Sequence, residues 1–168
     1  ERGTPLTLPP NATVSLVLDV KVLTTAFPLI EASGGAGSEV RLRYAEALRL
    51  PWNTPGAKLM GHQQSLANLA SHFADESRGW TFDRRGEVTG WGDIWEPSGR
   101  DEIFEPLHWR AFRYVGLQIK VGAAPLTLCR IQHRFTAYPV RITAAFKSSD
   151  PSLDQIGRVH PHTMRMCS

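Results

Sequence analysis

The sequence predicts an all-β protein: an antiparallel two-sheet sandwich with a short helix in one long loop and a helical segment at the C-terminal end. Three observations predict it. Apolar residues alternate with polar ones in run after run, which is the period of a half-buried strand. Glycine- and proline-rich breaks separate the runs. The period makes one terminal switch, near Ser149, to the spacing of a helix.

Thr13 to Leu23 is the first long run, with Val14, Leu16, Leu18, Val20 and Val22 on one side and Ser15, Asp19 and Lys21 on the other. Phe27 to Ala32 reads as a second, shorter strand. Ser33-Gly34-Gly35-Ala36-Gly37 then supplies the positive-φ residues of a turn, and Val40, Leu42 and Tyr44 alternate after it, so a hairpin is expected here. The glycine cluster lacks the Lys-Ser/Thr of a phosphate-binding loop and lies between strands, so it reads as a turn. Leu50 to Gly86 breaks the pattern with Pro51, Pro55 and Gly56. Leu66, Leu69 and Phe73 then recur at helical spacing, as in a loop excursion carrying a short helix.

Ile103 to Pro106 leads into FEPLHWRAFRYVGLQI (104–119), where Phe112 and Tyr114 share one parity and Val115, Leu117, Ile119 and Val121 the other. The apolar phase slips beside Gly116, which calls for two covered faces or a bulge. Ala123-Ala124-Pro125 makes a turn, Leu126 to Phe135 a strand, and Val140, Ile142, Ala144 and Phe146 another. About eight strands result, with Val14, Leu16, Leu18, Val40, Leu42, Val115, Leu117, Ile142 and Phe146 facing inward. Ser149-Asp150-Pro151 places an N-cap before a proline at the first helical position, and Leu153, Ile156 and Val159 follow at spacing three. Pro161 predicts a kink or break near His160. The organisation expected is a leader (1–12), a β-sandwich (13–148) with its excursion at 50–86, and the start of a following helical domain (149–168). The chain opens at Glu1 without methionine, and we expect an excerpt of a longer protein.

With 42% hydrophobic and 21% charged residues, the composition is that of a globular protein, and no apolar run reaches the ~18 residues of a membrane span. The net charge of +3 is spread along the strands rather than gathered in a basic block, so no nucleic-acid partner is expected. Cys129 and Cys167 make no zinc spacing, and proline between His160 and His162 makes a poor metal clamp, so neither metal nor cofactor is expected. Glycoside hydrolysis needs two carboxyls at a set separation. Asp93 with Glu96, and Asp101, Glu102 and Glu105, lie among tryptophans but in a turn-rich, solvated setting, so no catalytic residue is assigned. Trp80, Trp91 and Trp95, with Asp93, are the candidates for a sugar-stacking platform, against the plainer reading of a satellite core cluster. Trp109, Arg110, Arg113 and Tyr114 are candidates for a domain interface.

Four stretches in order, SGGAGSEVRLRYAEAL (33–48), EVTGWGDIWEPSG (87–99), FEPLHWRAFRYVGLQI (104–119) and YPV (138–140) through FKSSDPSLDQI (146–156), resemble the concanavalin-like β-sandwich upstream of the catalytic helical barrel in bacterial-type alpha-L-rhamnosidases. The tail HTMRMCS (162–168) resembles the start of the first barrel segment. The resemblance implies a non-catalytic accessory domain whose partner is the rest of the parent enzyme, chiefly a downstream helical barrel. That parent would hydrolyse terminal rhamnose of a glycan by inverting displacement of water, and its compartment, secreted or cytoplasmic, would set that of this domain. The alternative is a carbohydrate-binding module using exposed tryptophans. The family's catalytic carboxylates have no counterpart in this chain. The excursion Gln63–Gly86 is longer than the family pattern, and His160-Pro161 stands where an aromatic or small residue is usual, which points to a divergent relative.

Overall fold

A computed structural model describes residues 4–51, 80–82, 86–143 and 145–167. Nine strands and one helix lie among them: β1 (Leu6–Leu8), β2 (Thr13–Gly34), β3 (Glu39–Ala45), β4 (Arg49–Pro51), β5 (Trp80–Phe82), β6 (Gly92–Trp95), β7 (Glu102–Phe104), β8 (Arg110–Lys120), β9 (Leu126–Phe135) and α1 (Pro151–Met166). The antiparallel all-β class is the one the alternation predicts. Seven strands share one hydrogen-bonded sheet, ordered β1-β9-β2-β8-β3-β6, with β7 beside β2, and β4 and β5 form a separate two-stranded ladder. A division of the seven into two sheets is not what the ladder records.

The reason lies in β2. The runs expected as two strands, Thr13–Leu23 and Phe27–Ala32, are one strand of 22 residues with an irregularity between Asp19 and Thr24. Residues 13–19 pair with β8, and residues 26–34 pair with β9 on the other side. Thr13 pairs with Lys120 and Gly34 with Leu126, so both ends of β2 reach the connection between β8 and β9. Backbone bonds from Asn11 to Gly122 (2.9 Å) and from Gly35 to Pro125 (2.8 Å) fasten them there. The strand is doubled over, and one sheet therefore encloses its own core.

The bend has a specific lock. Lys21 adopts φ 76°, and the Asp19 carboxylate accepts its backbone N–H at 2.7 Å. The same carboxylate takes two bonds from the Arg113 guanidinium of β8, at 3.0 and 3.2 Å. Arg113 is the main reason that the Asp19 carboxyl titrates at about 2, helped by the Lys21 N–H. The β2 irregularity also explains the phase slip of β8. Tyr114 pairs with Asp19 and Phe112 with Thr24, so four residues of β2 stand against Arg113 alone, and Phe112 is buried out of phase with Val115, Leu117 and Ile119. Gly116 remains on the outer face, where Val88 packs so close that an added Cβ would meet its Cβ at 3.2 Å.

Inside, Ile30, Val40, Leu42, Phe112, Leu117, Ile119 and Leu126 are almost wholly buried. Each such side chain contributes roughly 1.5–3 kcal/mol by leaving water. Val14, Leu16 and Leu18 face the core as expected but are half-buried, and an apolar cavity of about 250 Å³ lies against Leu18, Ile30, Leu42, Phe112 and Ile131.

Several expectations are corrected. Gly34, Gly35 and Gly37 have the positive φ of a turn (75°, 77° and 76°), but β2 and β3 do not form a hairpin. β3 lies on the far side of β8, because β8 already occupies the edge of β2. Val140–Phe146 forms no strand, and Ile142 and Phe146 are exposed rather than inward-facing; Ala144 lies outside the described residues. Pro139 sits in a tight turn, Val140 N–H to Tyr138 O at 2.7 Å, which takes the chain off the sheet after Thr136. α1 begins where expected, with Asp150 accepting the Ser152 N–H and Pro151 in the first turn, but it runs through Pro161 to Met166 without a break. A proline removes one helical bond, and the neighbouring bonds persist. The short helix expected in the excursion lies outside the described residues; β4 and β5 form a ladder on either side of them.

Two outcomes test this account. The Asp19 carboxyl has a folded-state value below its ordinary one of 3.8, so its contribution to stability is complete above about pH 4 and is lost as pH falls towards 2. Urea unfolding midpoints measured from pH 6 down to pH 2 should fall through this window, and Asp19→Asn should lower the midpoint at pH 6 while flattening the fall. Leu117→Ala should cost about 2–5 kcal/mol in the same assay, whereas Phe146→Ala should cost about 0.5 kcal/mol or less. A large loss at Phe146 would place the Val140–Phe146 run in the core after all.

Candidate functional site

Three polar side chains meet on the sheet's inner face. Tyr44 follows Leu42 by two residues on β3, Asp93 lies opposite Leu42 on β6, and Arg110 precedes Phe112 by two residues on β8. Alternation turns all three inward. Arg110 Nη2 donates to Asp93 Oδ1 at 2.6 Å, and its guanidinium lies 5.6 Å from the centre of the Tyr44 ring. Nη1 donates to the carbonyls of His108 and Trp109 at 3.2 and 3.4 Å, which ties the β7–β8 connection to β6 through one side chain.

The cluster is low in solvent. Tyr44 is 4% exposed, and the Asp93 and Arg110 side chains are 19% and 24% exposed. Tyr44 Oη, Asp93 Oδ2 and Arg110 Nε are buried without a hydrogen bond. Burial, and then the negative charge of Asp93, drives the Tyr44 hydroxyl well above the ordinary phenol range, so it stays protonated. This is an ion pair that holds strands together. It has the chemistry of a structural hub, with one carboxylate committed to a guanidinium.

The tryptophans divide. Trp91, two residues before Asp93, is 91% exposed, whereas Trp95 is buried and stacked on Phe104 with ring centres 5.5 Å apart. Trp80 stands in β5, and its side chain lies outside the described residues. Trp109 is 52% exposed beside Arg110. Arg113 serves the Asp19 lock and lies 5.0 Å over the ring of Tyr114, which is half-buried. Of the platform candidates, the structure therefore leaves Trp91 at the surface, turns Asp93 inward onto Arg110 and places Trp95 in the core. Of the interface candidates, Trp109 and Arg110 belong together, and Arg113 and Tyr114 belong to the bend.

The other acidic candidates, all among the described residues, are solvated or engaged. Glu102 accepts the Ser98 N–H at 2.6 Å, Glu105 pairs with Arg134, Glu31 pairs with Arg130, and Glu96 and Asp101 are exposed. Among the described residues no three His, Cys, Asp or Glu side chains converge on a metal-sized site, and Cys129 and Cys167 are free thiols. Tyr44 and Arg110 as partners of Asp93 were beyond sequence reasoning. Forty-nine residues part Tyr44 from Asp93, and only the common inward parity of the two strands hinted at a meeting.

The Asp93–Arg110 pair should behave as a desolvated ion pair. Arg110→Ala should destabilise the protein by about 1–3 kcal/mol, because it strands the carboxylate. The double change Arg110→Met with Asp93→Leu should recover most of that loss in the same denaturation assay.

No protein-family model matches the chain, and no curated protein matches it. Among solved structures, a GH78 family rhamnosidase of Bacillus sp. GL1 superposes with a TM-score of 0.63 at 21% identity. The superposition takes in 97% of this chain and 14% of that one. The chain thus shares its fold with a small part of a much longer enzyme.

Proposed function

We propose that this chain is a non-catalytic accessory β-domain of a glycoside hydrolase, and that the enzyme it serves hydrolyses terminal alpha-L-rhamnose. The observation that carries the reading is the superposition on a segment of a rhamnosidase over nearly the whole chain. The four sequence stretches that resemble the concanavalin-like domain of such enzymes support it independently. The geometry agrees with a supporting role: Asp93 is tied to Arg110 and Glu105 to Arg134, so neither is poised as an acid or base toward an open cleft. The partner in this reading is the rest of a longer polypeptide, with a helical barrel downstream that supplies the catalytic carboxylates.

A second reading, a carbohydrate-binding module, has one observation in its favour. Trp91, two residues before Asp93, presents an almost fully exposed indole. A lone stacked indole with a few hydrogen bonds yields no more than ~4 kcal/mol, which corresponds to a millimolar constant.

The purified 168-residue chain should release no nitrophenol from an aryl alpha-L-rhamnoside, and titration with L-rhamnose should give at most millimolar binding by tryptophan fluorescence. Turnover that disappears in Asp93→Ala would overturn the accessory reading. Micromolar binding abolished by Trp91→Ala in a still-folded protein would replace it with the module.

A further inference from the structure

We propose that Asn11 is a modification site, an acceptor for an N-linked glycan displayed on a fixed turn at the start of β2. The site lies outside the accessory-domain reading and does not rest on it.

The sequence supplies the motif. Asn11-Ala12-Thr13 offers an asparagine, then a residue other than proline, then a hydroxyl, which is the triplet that the transferase for such glycans reads. Asn53 and Asn68, the other asparagines of the chain, are followed two places on by Pro55 and Ala70 and lack that hydroxyl. Chance also produces such triplets, and what distinguishes this one is the way the fold presents it.

The Pro9 carbonyl accepts the Ala12 N–H at 3.3 Å, which closes a tight turn with Pro10 in its second place and Asn11 in its third. Asn11 has φ 59° there, the left-handed conformation that a type II turn asks of its third residue. Bonds from the Asn11 N–H to the Gly122 carbonyl (2.9 Å) and from the Val121 N–H to the Ala12 carbonyl (2.8 Å) pin the turn to the β8–β9 connection. Asn11 and Thr13 are both exposed, and among the described residues neither the Asn11 carboxamide nor the Thr13 hydroxyl has a hydrogen-bond partner. The turn accounts for an asparagine at position 11, although glycine would serve it as well, and it asks for no hydroxyl at position 13. The connection alongside is Gly122-Ala123-Ala124-Pro125, which has no long side chain to overhang an attached sugar.

The donor is an oligosaccharide linked to a polyprenyl diphosphate. Asn11 Nδ2 forms a bond to the anomeric carbon of the first sugar, and the bond from that carbon to the diphosphate oxygen breaks. The lipid diphosphate leaves with the electron pair, Nδ2 gives up a proton to a base of the transferase, and nothing is oxidised or reduced. The step uses a carboxamide and a hydroxyl that hold no part of the fold together, so the modified chain keeps its structure.

Secretion of the 168-residue chain from a eukaryotic host, behind a cleavable signal peptide, tests this by intact-mass measurement and peptide mapping. Most secreted molecules should carry an added mass that maps to Asn11 and is removed by a peptide N-glycanase. Asn11→Gly, which suits the left-handed φ, and Thr13→Val, which keeps the β-branched shape, should each abolish the added mass and leave the unfolding midpoint where it was. Thr13→Ser should retain the mass. Secreted, folded protein with Asn11 unmodified would overturn the proposal, as would an added mass that survives Asn11→Gly. A glycosylated chain that unfolds clearly below the Asn11→Gly variant would overturn it too, because the carboxamide would then be part of the fold.

Discussion

Asp19 is the group on which the architecture turns. A strand of 22 residues in an antiparallel sheet would ordinarily run on as a flat ribbon, with one face wet and no core to enclose. Here one carboxylate takes up the N–H of a left-handed Lys21 and a bidentate guanidinium from the neighbouring strand, and the strand doubles back. Everything that defines the interior follows from that fold-over: Ile30 faces Leu42 and Leu117, Phe112 enters the core out of phase, and both ends of β2 meet at one turn. The lock sits near solvent, so its worth is in direction rather than in brute strength. It specifies where the strand bends, and the apolar face supplies most of the energy.

The Tyr44–Asp93–Arg110 cluster, three residues along β8 from Arg113, has a related logic. An inward Arg and an inward Asp are costly unless they meet, and their meeting sets the edge strand β6 and the β7–β8 connection in fixed relation to β3. Trp91 and Trp109 flank this hub at the surface, held by the chain segments that the ion pair joins. The core and the exposed aromatic positions therefore depend on the same guanidinium, which joins β6 to the β7–β8 connection.

Much of the fold was legible in the chain. Leu126–Phe135 reads as a strand with the bounds it has, Val40 and Leu42 face inward, and Asp150-Pro151 starts the helix. Alternation of period two reports a backbone that is extended and half-buried, and these segments are both. What it could not report is pairing. Nothing local in Thr13–Gly34 says that two apolar runs are one bent strand, because the bend depends on Arg113, ninety-four residues away. Val140–Phe146 alternates as well as any true strand, yet it has no edge to join once Pro139 turns it outward. The site was half legible for the same reason. Asp93 stood out among tryptophans, but the difference between an exposed Trp91 and a buried Trp95 depends on how far an edge strand extends over its neighbour, and Arg110 reaches Asp93 only because the sheet folds over.

The ends of the sheet carry a further consequence. β1 has three residues and β6 four, so neither outer strand offers a long ladder of free backbone groups, and β9 beyond β1 carries Arg130 and Arg134, paired with Glu31 and Glu105, on a stretch whose outer side pairs with no strand among the described residues. Short strands and charge at an edge discourage a second molecule from adding its own strand. A β-rich chain emerging from the ribosome exposes its strands to other unfinished copies before its own ladders have closed. Edges of this kind favour its folding alone there, without templating aggregation.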